Sequence, residues 1–438
     1  MCADFRNGRI SLPIMPLHAP GEGLAGIRAG RTKVAALEAP GQGASPAARW
    51  RLATGSHSLP RVECIRATYR ILNVEAPARR AEELALEQTV ELPQEALVGK
   101  AADHGLAARV TAVEPLDEGS HRARLEIPLE AAAGDPAQLL NVLFGNVSLQ
   151  GDVELVDVDL PAPLLRVLGG PRFGIRGLRD ACGVEGRALS CAALKPMGLP
   201  PEDLAGLCHT LAAAGIDLIK DDHGLADAPG FPLAARVSAC VQAIDRAADE
   251  TGRRAVYAPN LIGMPSALAR QLDAAAGAGS GAIMAEPLVI GLPAFLELVR
   301  ASPVPVLAHP ALGGARGIAM DFLLGTLFRL YGADAVIFPH AGGRFPFDLD
   351  MCADLAARLR APLGGHRPAL PVPAGGMSAA RVREMVEFYG IDAMLLVGGT
   401  LYRVGHGLGD RAREFVARIR DAAVGEHAPR RAAGGAAE

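Results

Sequence analysis

The chain has 438 residues, half of them hydrophobic, and a net charge of −4 at pH 7. That length allows two or three domains and a large core, and the composition excludes a disordered chain. The slightly acidic balance gives no electrostatic basis for nucleic acid or an anionic membrane as a partner. Apolar stretches are broken by charge well before the roughly 18 residues a membrane span needs. The start, Met1-Cys2-Ala3-Asp4-Phe5-Arg6, has no apolar signal core, so a cytoplasmic protein is expected. Seven cysteines without a C-x-x-C spacing argue against a disulfide framework and a structural zinc site.

Residues 1–60 are rich in Gly, Pro, Ala and Arg and read as a flexible extension. Order begins near Ile65, where residues 65–72 alternate like a strand. Ala81 to Thr89 reads as helical, and 108–113 and 123–127 alternate again. These segments form a small α+β domain over 61–165. From 166 to 425 the pattern changes to short apolar strands separated by Ala-rich helical stretches. Eight strands are expected at 189–194, 216–219, 255–258, 281–285, 304–308, 335–338, 370–373 and 393–397. Helices are expected at 201–214, 233–250, 265–278 and 379–389. Eight alternating units of this kind close a (β/α)8 TIM barrel, with a doubly wound open sheet as the alternative. Residues 426–438 read as a loose tail.

Active sites of this barrel lie at the carboxyl ends of the strands. Those ends carry Lys195, the run Lys220-Asp221-Asp222-His223, Asn260, His309 and His340, then Gly375-Gly376 and Gly398-Gly399. Only four of the 44 basic residues are lysines: Lys33, Lys100, Lys195 and Lys220. In so arginine-biased a chain a lysine at a strand end points to chemistry that arginine cannot do: losing a proton, acting as a base, or accepting carbon dioxide as a carbamate. A carbamate on Lys220 would, with Asp222, make an oxygen site for Mg²⁺; the alternative is a buried ion pair. His309 and His340 suit acid–base work, or are core histidines satisfied by backbone. The paired glycines after strands 7 and 8 let backbone N–H groups approach a phosphate.

These residues carry a resemblance. Gly215-Ile216-Asp217-Leu218-Ile219-Lys220-Asp221-Asp222-His223 resembles the G-G-x-D-F-x-K-D-D-E signature of the RuBisCO large chain. Leu194-Lys195-Pro196-Met197-Gly198-Leu199 resembles its K-P-K-L-G-L, Pro339-His340-Ala341-Gly342 its I-H-A-G, and Gly398-Gly399-Thr400-Leu401 its G-G-G-T-L. Gly145-Asn146-Val147 resembles the G-N-V whose Asn reaches the partner subunit's active site, and Glu87 falls where the family places another such residue. The resemblance covers about 61–420.

The departures are informative. No lysine follows Lys220, so the mobile-loop lysine that holds carbon dioxide in carboxylases has no counterpart; Arg344 is the basic residue left in that loop. The second lysine of K-P-K-L-G-L is absent, with Met197 near its place. The arginine after the strand-5 histidine is Pro310, the serine before the strand-7 glycines is Ala374, and the last metal ligand, a glutamate, is His223. The chain therefore resembles a non-carboxylating, form IV RuBisCO-like protein. That implies a homodimer or higher homo-oligomer that enolises or isomerises a singly phosphorylated ketose, such as a methylthioribulose phosphate. The implied base is a carbamate on Lys220, or Lys195. Lys220, Asp222 and His223 are the implied ligands of a divalent metal, Mg²⁺, or Mn²⁺ or Zn²⁺ given the imidazole. Decarboxylation or hydrolysis of a 3-oxo sugar-acid phosphate is a second reading, and a barrel that binds a phosphorylated metabolite without turnover is a third.

Overall fold

The computed structural model describes residues 63–96, 105–314, 317–402 and 407–426. The extension over 1–60 and the tail after Glu426 lie outside the described residues.

Four strands form the first sheet: β1 (Cys64–Leu72), β2 (Arg109–Asp117), β3 (Ser120–Pro128) and β4 (Val153–Asp159). Their order is β2-β3-β1-β4, antiparallel throughout. Along β1 the period of two is plain: Ile65, Ala67, Tyr69 and Ile71 are buried, while Arg66 and Arg70 face out and pair with Asp159 and Glu154 of β4. A helix over Pro77–Glu87 covers the sheet; it starts four residues before the expected Ala81 because Pro77 is well suited to a first helical turn. Sequence reading assigned no helix or strand between Ile127 and Leu189. The structure has a helix over Pro136–Phe144 there, capped by Asp135, whose carboxylate accepts from the Ala137 and Gln138 amides at 2.8 Å. It also has β4 and the helices Ala162–Leu168 and Gly174–Cys182.

Eight parallel strands make the barrel: β5 (Leu189–Leu194), β6 (Leu218–Asp221), β7 (Val256–Ala258), β8 (Ile283–Ala285), β9 (Val306–Ala308), β10 (Ala335–Pro339), β11 (Leu370–Ala374) and β12 (Met394–Val397). All eight expected strands are present. β6 sits two residues later than expected, so Lys220 and Asp221 belong to the strand itself. β7 and β8 close the circle through Met284 N to Pro259 O at 2.9 Å and Leu261 N to Met284 O at 2.8 Å. Inside the barrel, Leu189, Cys191, Leu218, Val256, Ala258, Met284, Leu307, Ile337, Val372 and Leu396 pack together, and the helix Gly174–Cys182 adds Ile175 and Leu178 to that cluster. The intervening strand residues face the surrounding helices.

Two buried carboxylates tie the amino ends of the strands. Asp217, just before β6, accepts two hydrogen bonds from Arg187 at 2.8 and 2.7 Å, one each from the Ser190 amide and hydroxyl at 2.8 Å, and one from Arg253 at 3.1 Å. Asp334, just before β10, accepts from the Phe173, Gly174 and Val306 amides at 2.7 to 2.9 Å. Removing one member of a buried ion pair strands its partner, which costs about 3–5 kcal/mol. Asp217→Ala is therefore expected to lower unfolding stability by that order in a urea titration; a loss within about 0.5 kcal/mol, the range of ordinary surface substitutions, would contradict the role given to it.

Candidate active site

The inward alternation continues past the strand ends. After Cys191 and Ala193 on β5 comes Lys195. Leu218 is followed on the same face of β6 by Lys220 and, one residue past the strand, by Asp222. The series Val256, Ala258 leads to Asn260, Ala282 and Met284 to Glu286, and Leu307 to His309. Six polar side chains thus form the layer above an apolar stack.

Lys195 Nζ lies 2.7 Å from Asp222 Oδ1, and His223 Nδ1 lies 3.5 Å from the same oxygen. Against the upward push of burial, the bonds from His223 and Lys195 and the lysine charges hold the Asp222 carboxyl well below its usual range. Lys220 is buried, and its ammonium donates to the Asp221 carbonyl at 2.8 Å. Burial pushes its pKa down, which favours the neutral amine that reacts with carbon dioxide. His309 stacks on His223 with centroids 4.4 Å apart. Burial first, then the Lys220 charge, keeps its imidazole neutral at physiological pH.

Asp221, which sequence placed on the same rim, points the other way. Its carboxylate is fully buried among Arg236 Nε at 3.0 Å, the Tyr257 hydroxyl at 2.6 Å and the Asn260 amide at 3.1 Å. Arg236 in turn donates to the carbonyls of Ala226 and Phe231 at 3.2 Å each, and Asn260 Nδ2 donates to His223 O at 2.9 Å. This network fixes the loop that carries Asp222 and His223.

His340 stands apart from the lysines. Its ring is buried, Nδ1 lies 2.6 Å from the Tyr389 hydroxyl, and Phe388 packs edge-on at 5.8 Å. The charged groups it senses are Arg381 and Glu384. It belongs with the glycine loops. Gly375 and Gly376 have φ of 85° and 64°, so their backbone follows a path that favours glycine. A Cβ on Gly376 would meet Arg381 Nη1 at 3.5 Å and Gly343 Cα at 3.9 Å, and one on Gly398 would meet Lys195 Cε at 4.0 Å. Gly399 opens a short helical turn over Gly399–Tyr402. Arg381 is a basic group beside these loops that sequence reading missed. Arg344 is exposed, with its guanidinium over the Phe345 ring at 5.0 Å.

Glu286 was also missed. It is 1% exposed, and neither carboxyl oxygen has a hydrogen-bond partner. Asn260 Oδ1, equally buried, has none either. Burial raises the Glu286 pKa to about 7, with His223 and Lys220 opposing. Unpartnered buried oxygens near His223 and Lys220 suit a hard divalent cation. Among the described residues no three His, Cys, Asp or Glu side chains stand close enough to hold one by themselves.

In the small domain Asn146 Nδ2 donates to Glu87 Oε1 at 3.1 Å, and both line a cavity of about 230 Å³ with Glu91, Glu130 and Gln138.

The raised Glu286 pKa has a testable sign. The folded chain holds this proton more tightly than the unfolded chain, whose carboxyl titrates near 4.5. Stability is therefore lost as pH rises from about 4.5 to about 7, by roughly 3 kcal/mol at most. With a chelator present, Glu286→Gln is expected to melt with the parent near pH 4 and above it at pH 8; parallel curves at both pH values would refute this.

Comparison with known proteins agrees with this geometry. The profile of the family described as "Ribulose bisphosphate carboxylase large chain, catalytic domain" matches residues 174–342. The chain is 45% identical over 359 residues to "Ribulose bisphosphate carboxylase-like protein 1" of Rhodopseudomonas palustris, covering 82% of this chain and 98% of that one. It is 42% identical over 362 residues to the "5-methylthioribulose-1-phosphate isomerase" of Rhodospirillum rubrum, covering 82% and 97%. The crystal structure of a Rubisco-like protein from Rhodopseudomonas palustris superposes with a TM-score of 0.76 at 42% identity, over 82% of this chain and 98% of that one. With an antiparallel four-stranded domain before an eight-stranded parallel barrel, and relatives this similar along nearly their whole length, the chain belongs to the RuBisCO large-chain family, among its non-carboxylating, form IV RuBisCO-like proteins.

Proposed function

We propose that this chain is an enzyme that enolises or isomerises a singly phosphorylated ketose of the 5-methylthioribulose 1-phosphate type, without fixing carbon dioxide. The observation that carries the reading is the Lys195–Asp222 contact at 2.7 Å, set beside buried Lys220 and neutral His309 at the mouth of the barrel. Abstracting a proton next to a carbonyl needs a base within reach and a positive group for the oxyanion that forms. Lys195 supplies the base, and an ion held by carbamylated Lys220 and Asp222 would supply the positive charge. Lys195 is one-third exposed at the mouth and is ion-paired with Asp222; with Asp222 engaged by an ion, the lysine would be released as the unprotonated amine that takes the proton. His309, neutral and fixed by stacking, orients a hydroxyl, and the Lys195 ammonium formed in the first step returns the proton to the neighbouring carbon. Carbamylated Lys220 and Asp222 would hold a Mg²⁺ or Mn²⁺ ion, which supplies Lewis-acid stabilisation of the enediolate when bound.

The single phosphate goes to the loops at Gly375-Gly376 and Gly398-Gly399. His340 and Arg381 stand beside them, so a cationic side chain is present although no lysine follows Lys220. Five loops at the carboxyl ends of the strands present exposed apolar side chains: Met197, Met264, Val289, Leu312 and Phe345. They suit an apolar end on the substrate and a subunit docked over the mouth. The small-domain face around Glu87 and Asn146 carries exposed Leu92, Leu106 and Leu149. Two such faces, each meeting the other copy's barrel mouth, make an antiparallel dimer in which Glu87 and Asn146 complete the partner's site.

The test uses 5-methylthioribulose 1-phosphate in deuterated water. Lys195→Ala is expected to lower substrate-dependent proton exchange by about 10²–10⁴-fold with the melting temperature unchanged; undiminished exchange removes Lys195 from the role of base. Asn146→Ala is expected to impair turnover as well. Subunits of the two variants, unfolded together and refolded at equal ratio, should recover about a quarter of parental activity, because half the dimers are mixed and each holds one intact site. No recovery argues against a shared site.

A further inference from the structure

We propose that Glu286, at the end of β8, is the carboxylate ligand of the metal, filling the role left open where the sequence carries His223. The inference rests on the metal-assisted reading above and adds a ligand to it.

Three observations point to Glu286. Its carboxyl is essentially inaccessible, and both oxygens lack a donor. A buried carboxyl in that condition is costly unless a cation or a proton joins it. Next to it, Asn260 commits its amide N–H to His223 O, which leaves Oδ1 unpartnered and just as buried. Two side chains on adjacent strands therefore bring together three oxygens without a partner of hydrogen-bond geometry, the Asn260 amide being the one donor near Glu286, an arrangement that a divalent cation completes. Finally, the titratable neighbours of Glu286 are His223 and Lys220, the two ends of the segment that holds Asp222.

His223 is placed differently. Its side chain is 47% exposed, its ring is stacked on His309, and its carbonyl is held by Asn260. An imidazole engaged in that way is a poor substitute for a buried carboxylate around a hard ion. Oxygen from a Lys220 carbamate, from Asp222 and from Glu286 would make a set of three anionic donors, with Asn260 Oδ1 as a neutral oxygen beside Glu286.

The experiment titrates Mn²⁺ into the full-length protein with and without bicarbonate. Bound ion is read by loss of the free Mn²⁺ paramagnetic resonance signal and by the rise in melting temperature, so no turnover is needed. The parent is expected to bind in bicarbonate and Lys220→Ala to lose binding. Glu286→Gln should bind at least about tenfold more weakly, and His223→Ala within about threefold of the parent. The metal-free melting temperature of Glu286→Gln, expected at or above the parent's, shows that the variant folds. Parental affinity in Glu286→Gln alongside loss in Lys220→Ala would overturn the assignment and leave the metal-assisted reading standing. A loss in His223→Ala as large as in Glu286→Gln would overturn the replacement of one ligand by the other. No Mn²⁺ binding by the parent in bicarbonate would overturn both.

Discussion

Everything in the site depends on a period of two carried around a closed cylinder. Each strand sends alternate side chains inward, and closure gives those side chains one shared interior. Lower positions are apolar: Leu189, Cys191, Leu218, Val256, Met284, Leu307, Ile337, Val372 and Leu396 fill the barrel. One more inward step takes β6, β7, β8 and β9 to Lys220, Asn260, Glu286 and His309. The polar layer is thus the last layer of the core, open on one side. Its groups are desolvated by the apolar layer beneath them, which is why Lys220 and His309 are shifted toward neutral forms and Glu286 toward its acid form. The same geometry that packs the barrel prepares the reactive states.

A second constraint works from outside the cylinder. Asp221 lies between two inward residues and so must face the helix layer, where Arg236, Tyr257 and the Asn260 amide enclose it. Both Arg236 and Asp221 are fully buried, a costly arrangement for stability alone. Its value lies in what Arg236 also holds: the carbonyls of Ala226 and Phe231, in the loop just past His223. Asp222 and His223 are then displayed by a loop anchored below, and Lys195 reaches over from the neighbouring strand.

Much of this was legible in the sequence, for identifiable reasons. Parallel strands buried on both faces read as short apolar runs, and all eight were visible. The helix over Pro136–Phe144 had a signal that went unused, an Asp135-Pro136 start. The rim residues were found by residue type and place, but type does not give direction. Asp221 matched the pattern and faces away, because one step along a strand reverses the side chain. His340 follows Pro339 on β10, and its ring bonds Tyr389 and stays with the glycine loops. Glu286 failed to register because Ala285-Glu286-Pro287 looks like an ordinary helix entrance; only the fold shows that its carboxyl is buried without a donor. Arg381 was hidden similarly, seven residues after Ala374 and brought beside Gly376 by the turn between them.

The two ends of the barrel use buried polarity in opposite ways. At the amino ends, Asp217 and Asp334 have every oxygen engaged, and each joins neighbouring strands to one another. At the carboxyl ends, acceptors are left over. Of nine buried side-chain atoms without partners among the described residues, four belong to Asn260, Glu286 and His340. An unmet acceptor destabilises a fold, and a concentration of them at one mouth is a deficit that packing alone does not explain. The saturated carboxylates at the amino ends secure the strands and let the carboxyl ends carry that deficit. Only a cation or a proton meets leftover oxygens, so a divalent ion would resolve the Glu286 and Asn260 side of the mouth, whereas a phosphate, itself an acceptor, would instead use the glycine-loop amides and an N–H on His340 Nε2. The unsatisfied mouth is therefore the part of the molecule whose energetics are completed by its ligands.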